Sequence, residues 1–227
     1  SGHGPMNMST ALYNSCNSYF YKMGREATID NINAVAHALG FGEKTGIELP
    51  GELSGVNPSR SWKEMNYNAS WLIGDTVNHS IGQGYNLVTP MQLAVMMSRL
   101  ASGFKVSPSL YGSNNSMNKV DIPQKHLEVI RDHMFGVFNR EEGTGYNLRI
   151  TEDQYRLAGK SGTAQAVSRD TVGEKDRRVR SHAVFAAYAP VHDPKYAVSV
   201  IADNAGWGIK EAAPIGIDIL YFAQTKL

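Results

Sequence analysis

The stretch AVFAAYAPVHDPKYAVSVIA, residues 183–202, decides the fold prediction. Its two halves, residues 183–189 and 196–202, carry valine, isoleucine, phenylalanine and tyrosine between small alanines, a composition that favours β-strands. The hexapeptide PVHDPK between them contains two prolines and an aspartate, which are turn-forming residue types. The stretch therefore predicts two antiparallel strands joined by a tight connection.

A third strand and several helices are predicted around this hairpin. Residues 157–167 are the third strand candidate, and the charged residues 168–181 predict an excursion between strands. Residues 42–80, rich in glycine, proline, asparagine and serine, predict a long loop. Apolar residues at helical spacing predict helices over residues 28–39, 89–100, 123–139 and 213–224. Within residues 9–24 the same spacing predicts two helical pieces that are separated by a turn at 14–18. The N-caps are expected at Ser9 or Thr10, at Thr28 or Asp30, and at Thr89. This order predicts an α+β fold in which an antiparallel sheet is flanked by helices.

The composition bounds the size and the partners of the protein. The chain has 227 residues, 42% of them apolar, which suffices for a domain with a sizeable core. A formal net charge of +1 gives no basic footprint for nucleic acid and none for an anionic membrane surface, so we expect no nucleic-acid partner. The single cysteine excludes an internal disulfide.

The strongest local signal for chemistry is Lys160-Ser161-Gly162-Thr163, within the third predicted strand. On a strand, Ser161 and Thr163 point to the same side, about 7 Å apart, and Lys160 adds a positive charge beside them. Together these groups suit a carboxylate, and the bare Gly162 lets a peptide lie along the strand. The alternative is a polar edge strand without a ligand. A phosphate-binding loop does not fit, because Gln154 stands where that motif requires glycine.

The second signal is Ser15-Cys16-Asn17, which lies in the polar turn predicted at residues 14–18. Residues two apart do not face each other on a helix, so Ser15 and Asn17 converge on one site only if a turn separates the helical pieces. In that arrangement Ser15 would relay a proton and Asn17 would hold a substrate amide. The alternative is a simple capping turn, because serine and asparagine are favoured helix caps.

Taken together, S-x-N at residues 15–17 and K-[TS]-G at residues 160–162 resemble two active-site motifs of the penicillin-recognising enzymes. Further segments in the same order resemble the class B penicillin-binding proteins: GEKTGIELPGE (42–52), PSRSWKEMNYNASW (58–71), GDTVNHSIGQGYNLVTPMQLA (74–94) and AVFAAYAP (183–190). Residues 1–24 look most similar to the elongation-type group, penicillin-binding protein 2. The likeness covers nearly the whole chain and implies the penicillin-binding or β-lactamase-like transpeptidase fold.

The resemblance implies a peptidoglycan D,D-transpeptidase that acts during cell elongation and is a target of β-lactams. A serine in an S-x-x-K motif would attack the penultimate D-Ala carbonyl of a stem peptide, and an amine of a neighbouring stem would receive the acyl group. Carried over, Ser15 would pass a proton to the leaving group beside Lys160, and Asn17 would bind the substrate amide. Ser161 and Thr163 would hold the terminal carboxylate, and the N–H of Thr163 would donate to the oxyanion.

The nucleophile of that reaction is expected outside this chain. In the family pattern S-x-x-K lies far upstream of S-x-N, whereas only 14 residues precede Ser15. Ser116-Met117-Asn118-Lys119 fits S-x-x-K but follows S-x-N in a polar loop, and we interpret it as a chance match. We therefore expect residues 1–227 to be the carboxyl-terminal portion of one transpeptidase domain, inactive alone and not labelled by a fluorescent penicillin.

His3 and Cys16 are a further pair that the resemblance singles out. Their separation of 13 residues matches no common zinc signature, and spacing alone predicts a surface histidine and a buried thiol. Elongation-type relatives, however, are recorded with zinc held by two aspartates, a histidine and a cysteine, the last two at these positions. The resemblance thus implies a structural zinc with half of its ligands outside the chain, while the chemistry itself requires no cofactor.

The resemblance also implies partners and a location. Peptidoglycan stem peptides and β-lactam antibiotics would be the ligands. A glycosyltransferase of the SEDS family and the scaffold protein MreC would be the protein partners. The location would be a periplasmic domain of a protein anchored in the inner membrane of a Gram-negative bacterium. Two alternatives stay open: a division-type class B transpeptidase, and a penicillin-binding sensor domain without turnover.

Overall fold

The computed structural model describes residues 2–112, 118–165 and 181–227. The chain divides into two compact units, Ser1–Leu127 and Glu128–Leu227. The end of the third predicted strand and nearly all of the charged excursion, including its basic run at 175–180, lie outside the described residues. Among the described helices, none combines the length and the apolarity needed to cross a bilayer.

The secondary structure of the described residues follows the predicted order. The α-helices are α1 (Met8–Tyr13), α2 (Asn17–Ala38), α3 (Arg60–Tyr67), α4 (Ile73–His79), α5 (Pro90–Ser102), α6 (Gln124–Asn139) and α7 (Gly208–Lys226). The strands are β1 (Ala158–Ala164), β2 (His182–Ala189) and β3 (Tyr196–Ala202). Two short 3₁₀ turns, Tyr146–Leu148 and Asp153–Tyr155, precede β1. The α+β prediction is confirmed.

Helix α1 begins with a reciprocal cap between Asn7 and Thr10. The Asn7 side chain accepts a hydrogen bond from the Thr10 N–H at 2.9 Å, and the Asn7 N–H donates to Thr10 Oγ1 at 3.1 Å. The predicted N-cap at Ser9 or Thr10 is therefore wrong, because Asn7 supplies the cap oxygen two residues earlier. The predicted break at residues 14–18 is confirmed, since α1 ends and α2 begins around it.

Helix α2 is interrupted at Thr28, where the backbone adopts φ 68° and ψ 156°. The helix start predicted at Thr28 or Asp30 coincides with this interruption, but helical structure is also present before it. This region of backbone space is essentially restricted to glycine, because a Cβ there crowds the neighbouring peptide. Thr28 therefore holds conformational strain within the helical segment.

Replacing Thr28 with glycine is expected to stabilise the protein by about 1 kcal/mol. Glycine adopts the observed φ freely, and relief of strain of about 1–3 kcal/mol exceeds the extra entropy that glycine loses on folding. Urea unfolding monitored by circular dichroism measures the change. The control is Ala27→Gly on the same helix, which is expected to destabilise. Equal destabilisation by both variants would show that Thr28 is not strained.

The predicted loop over residues 42–80 is wrong in its second half, which contains α3 and α4. At the start of α3 the Ser59 side chain accepts a hydrogen bond from the Trp62 N–H at 3.1 Å. At the start of α4 the Asp75 carboxylate accepts the Leu72 N–H at 2.7 Å. Both helices are short, with eight and seven residues, so the one-sided apolar pattern of α3 extends over too few residues to stand out in a segment rich in glycine, proline, asparagine and serine.

Helix α5 begins at its predicted N-cap. The Thr89 side chain accepts a hydrogen bond from the Gln92 N–H at 3.1 Å, and Gln92 Oε1 accepts the Thr89 N–H at 3.0 Å. The fully buried amide of Gln92 also donates to the carbonyl oxygens of Glu43 and Ser54, both at 2.8 Å. One side chain thus fixes the loop that precedes α3 to the start of α5.

The second unit contains an antiparallel sheet in the order β1-β2-β3. Strands β2 and β3 form the hairpin predicted at residues 183–202. In the register of β1 on β2, Ser161 lies opposite Phe185 and Thr163 lies opposite Ala183. The sheet therefore places the predicted carboxylate-binding residues directly beside its central strand.

Helix α7 packs on the sheet and begins earlier than the predicted residue 213. A Cβ at Gly216 would lie 2.3 Å from the Phe185 ring, and a Cβ at Gly208 would lie 2.0 Å from the Gly162 carbonyl oxygen. Glycine at 208 therefore lets the helix contact the backbone of the sheet, and glycine at 216 makes room for the Phe185 ring. The prediction missed the first turn because its glycine and charged residues interrupt the apolar pattern.

Candidate active site

The residues Lys160 to Thr163 lie on β1, which is an edge strand of the described sheet. Strand β1 pairs with β2 on one side, and no strand of the described residues pairs with its other side. Side chains alternate along a strand, so Ser161 and Thr163 share one face, as the sequence predicts. An open edge with these side chains is suited to an extended peptide that adds as a further strand.

Thr163 is tied to the start of α7. Its Oγ1 accepts a hydrogen bond from the Gly208 N–H at 3.3 Å. Because Gly208 also lies against the Gly162 carbonyl, the first turn of α7 holds the end of β1 in place. The sequence prediction missed Gly208 as a supporting residue. The available signal was the GWG tripeptide at 206–208, since paired glycines often mark close backbone approach.

Lys160 is half-buried on β1, and its Nζ donates to the Ser161 carbonyl oxygen at 2.8 Å. Burial lowers the pKa of Lys160 to about 8, because desolvation disfavours the charged form. At neutral pH the ammonium form still predominates. The side chain thus carries a positive charge at neutral pH. Its lowered pKa also lies closer to neutral pH, where a general acid or base exchanges its proton readily.

Gly162 leaves free space beside the strand. A Cβ there would meet only Val184 Cβ, at an ordinary 3.6 Å, whereas a Cβ at Gly159 would lie 2.6 Å from Ala187 Cβ. Packing within the chain therefore requires glycine at 159 but not at 162. This difference agrees with the sequence interpretation that Gly162 makes room for a ligand.

A second match to K-[TS]-G, Lys44-Thr45-Gly46, has a structural role. It lies in a loop, where the Glu52 carboxylate accepts hydrogen bonds from the Thr45 N–H at 2.7 Å and from the Gly46 N–H at 3.2 Å. The Thr45 hydroxyl also donates to Glu52 and is buried. These bonds hold the pKa of Glu52 below its usual value, despite the opposing effect of desolvation. Only the tripeptide on β1 therefore presents its side chains along a strand.

Ser15 and Cys16 lie in the turn between α1 and α2, and Asn17 is the first residue of α2. The Ser15 N–H donates to the Leu12 carbonyl at 3.3 Å, and the Cys16 N–H donates to the Ala11 carbonyl at 2.8 Å. Ser15 adopts a left-handed φ of 51°, and both Ser15 and Asn17 are exposed. The turn that their convergence requires is therefore present. Cys16 is the buried N-cap residue of α2.

The formal S-x-x-K matches lack the geometry of a nucleophile motif or lie outside the described residues. Ser116 and Met117 belong to the residues that the structure does not describe. A second match that the prediction overlooked, residues 102–105, straddles the end of α5. There the Ser102 hydroxyl donates to the Ser98 carbonyl at 2.8 Å, and Gly103 has a left-handed φ of 80°. The helix therefore ends between serine and lysine, which are not neighbours on one helical turn.

The described residues do not form a complete zinc site. His3 is exposed and Cys16 is buried. No group of three histidine, cysteine, aspartate or glutamate side chains suited to a metal ion occurs in the described ranges. Structural zinc usually has four ligands, of which His3 and Cys16 would supply at most two. The zinc implied by the resemblance stays a prediction.

The similarity to known proteins extends over nearly the whole chain. Residues 1–221 match the family model described as penicillin binding protein transpeptidase domain. The chain belongs to the penicillin-binding protein transpeptidase family. The family prediction made from the S-x-N and K-[TS]-G motifs is confirmed.

Relatives of this transpeptidase chain include proteins named MrdA and PBP2. Peptidoglycan D,D-transpeptidase MrdA of Haemophilus influenzae is 34% identical over 251 residues, covering 100% of this chain and 38% of the relative. The PBP2 of Helicobacter pylori, solved in complex with MreC, is 32% identical with a TM-score of 0.86, covering 99% of this chain and 41% of that chain. The PBP2 of Pseudomonas aeruginosa in complex with WCK 5153 is 30% identical with a TM-score of 0.83, covering 98% and 50%. These structures confirm the predicted transpeptidase fold, and the chain spans about two fifths of the length of the curated relatives it matches.

Proposed function

We propose that the chain is part of a peptidoglycan D,D-transpeptidase of the elongation type. The observation that carries the proposal is the open edge of β1, where Ser161 and Thr163 share one face, Lys160 precedes them, and Gly162 leaves space beside the strand. An acyl-donor stem peptide would lie along this edge as an added strand. The relatives named MrdA, at 32–34% identity, support this activity over that of a non-catalytic sensor.

The side chains of β1 would recognise the donor through its carboxylate. The Ser161 and Thr163 hydroxyls would donate hydrogen bonds to the terminal carboxylate, and Lys160 would supply the positive charge. A β-lactam carries an equivalent carboxylate and would use the same groups. Charge-assisted hydrogen bonds of this kind are about twice as strong as neutral ones, which favours acids over amides as ligands.

The turn between α1 and α2 would supply two further roles. The exposed Ser15 hydroxyl would relay the proton to the leaving group, and the Asn17 side chain would bind the amide of the donor. The acylated serine would lie in the protein that carries this chain, outside the 227 residues. The reaction itself would use no cofactor, and a zinc ion held by His3 and Cys16 with external ligands would be structural.

The protein partners would be those of an elongation synthase. A relative from H. pylori was solved with MreC, and we extend that partner, together with a SEDS-family glycosyltransferase, to this chain as part of the proposal. The catalytic domain would lie in the periplasm and the protein would be anchored in the inner membrane. Co-purification of the full-length protein with MreC from its own bacterium tests the first of these partners.

Acylation by a carboxylate-bearing β-lactam is expected to slow as the pH rises above about 8. The pKa of Lys160 is lowered by burial to about 8, so the ammonium charge is present at pH 7 and is lost as the pH passes that value. The measurement is the second-order rate of bocillin acylation of the full-length protein between pH 6.5 and 10. A rate that stays constant to pH 10 would contradict a role for the Lys160 charge. Absence of any covalent adduct by intact mass would contradict the proposed function itself.

A further inference from the structure

His182 is the first residue of β2 and lies at the same end of the sheet as Thr163. In the register of β1 on β2 it lies opposite Ala164, one position beyond the pair that Thr163 forms with Ala183. Strand β3 ends at Ala202, which lies opposite Ala183 on the other side of β2. His182 is therefore located where the chain leaves β3 towards α7.

The connection between β3 and α7, residues 203–207, is joined to the start of β2 by two hydrogen bonds. The Asn204 N–H donates to His182 Nδ1 at 3.1 Å, and the Gly206 N–H donates to the Ser181 carbonyl oxygen at 2.9 Å. Both donors belong to residues with a left-handed φ, 52° at Asn204 and 113° at Gly206. Such a conformation is uncommon for a residue other than glycine, so the bond to His182 supports the backbone at the less favourable of the two positions.

The same connection carries the group that holds Thr163. It leads directly into the first turn of α7, where the Gly208 N–H donates to Thr163 Oγ1 at 3.3 Å. A Cβ at Gly208 would lie 2.5 Å from the Val184 carbonyl oxygen, so this turn is packed directly on the strand that begins with His182. A displacement of residues 203–207 would therefore move the Gly208 N–H relative to the Thr163 hydroxyl.

The imidazole of His182 has two competing partners at one nitrogen. Asp203 Oδ1 lies 3.2 Å from Nδ1, the same atom that the Asn204 N–H approaches. A ring nitrogen either carries a proton and donates, or has a lone pair and accepts, so Nδ1 serves only one of the two at a time. The Asp203 side chain is 80% exposed, and water satisfies its carboxylate, whereas Asn204 is half-buried. The contacts therefore favour the neutral ring with its proton on Nε2 and with Nδ1 as the acceptor.

We propose that His182 is a positioning residue for the acyl-donor site and acts through Thr163. Its Nδ1 accepts the Asn204 N–H and so fixes the connection that brings Gly208 to the Thr163 hydroxyl. His182 itself touches no reacting atom, because it lies beyond the end of β1 rather than along its open edge. This inference rests on the proposed function and deepens it, since Thr163 would bind the carboxylate of the donor.

The second-order rate of bocillin acylation of the full-length protein tests the role of His182. His182→Leu is expected to slow acylation about fivefold, because the Asn204 N–H loses its acceptor and Thr163 is held less well. His182→Asn places an amide oxygen near the position of Nδ1 and is expected to restore the rate to within about twofold. Asp203→Asn is expected to have an effect below about twofold, since its carboxylate is exposed. His192→Leu is the matched control and should also stay within about twofold, because His192 is exposed in the turn at the other end of β2.

A double-mutant cycle with Thr163 separates positioning from a general loss of stability. Thr163→Ala is itself expected to slow acylation, since it removes a hydroxyl from the proposed carboxylate site. In that background His182→Leu is expected to cause less than about a twofold further loss, because its effect passes through Thr163. A variant that only destabilised the fold would slow acylation by the same factor in both backgrounds.

Three outcomes would overturn the role of His182. They are acylation of His182→Leu at the original rate, equal slowing by His182→Leu and His182→Asn, and the same loss from His182→Leu with and without Thr163. If His182→Leu does not fold, His182→Asn is compared with His182→Gln, whose amide reaches the position of Nε2 instead of Nδ1, and the asparagine variant is expected to react faster. Any of the three outcomes in a protein that still forms the covalent adduct rejects the role of His182 alone. Absence of an adduct on the original protein would reject the proposed function together with the role that depends on it.

Discussion

Lys160→Met is expected to lower the second-order rate of β-lactam acylation about 1,000-fold in the full-length protein. Methionine keeps most of the length of the side chain but removes the charge beside the proposed carboxylate site and the proton that Lys160 would exchange. General acid–base catalysis contributes roughly 100- to 10,000-fold, and a lost electrostatic contact to the carboxylate adds to this. Stopped-flow measurement of bocillin acylation at pH 7 gives the rate directly.

Two further lysine variants make this result interpretable. Lys210→Met removes an exposed charge from the first turn of α7 and is expected to leave the acylation rate within about twofold of the original, since an exposed charge is largely screened. Lys160→Arg keeps the charge but holds its proton firmly, so it separates carboxylate binding from proton exchange. Acylation by Lys160→Met at the original rate would show that Lys160 has no part in the reaction.

Asp75→Ala is expected to lower the melting temperature by about 10 °C. The substitution leaves the Lys63 ammonium buried without its partner and removes the acceptor of the Leu72 N–H at the start of α4. Breaking one side of a buried ion pair is strongly destabilising, because the remaining charge is desolvated without compensation. In the original protein the hydrogen bond to Asp75 raises the pKa of Lys63 against the opposing effect of desolvation, and the substitution removes that stabilisation of the ammonium form. Differential scanning calorimetry measures the change.

The matched control for Asp75 is Asp30. Asp30 pairs with Arg60 at 3.0 Å, but both side chains are more than half exposed. Asp30→Ala should therefore change the melting temperature by no more than about 2 °C. A double variant, Lys63→Met with Asp75→Leu, is expected to recover much of the loss, because no buried charge remains. Equal effects of Asp75→Ala and Asp30→Ala would show that burial of the first pair is unimportant.

Long elements with strong local patterns were predictable from the sequence. The hairpin at residues 183–202 is recognisable because β-branched residues flank a proline-rich turn, and α5 is recognisable because Thr89 and a following proline mark its start. The short helices α3 and α4 were not, because the Lys63–Asp75 pair joins residues twelve positions apart that no local pattern connects. The backbone conformation of Thr28 was not predictable either. A β-branched residue disfavours a left-handed φ, so packing of the folded chain must impose this conformation.

The candidate site was predictable in part for a similar reason. The alternation of Ser161 and Thr163 follows from strand geometry, and the turn at Ser15 follows from its polar sequence. The open edge of β1 is a property of the sheet order and has no local signature. The lowered pKa of Lys160 likewise depends on burial of its side chain in the folded chain. Composition cannot reveal either property, because both arise from contacts made after folding.

The packing of Gly208 against Gly162 and Thr163 has a thermodynamic consequence. The end of β1 cannot shift without displacing the first turn of a nineteen-residue helix, so this strand loses its conformational entropy when the unit folds. A peptide or a β-lactam that meets the strand afterwards would find hydroxyls and charge already oriented. Binding would then cost the conformational entropy of the ligand alone. Substitution of Gly208 would weaken binding because it makes the end of β1 less rigid, and not because a contact with the ligand is lost.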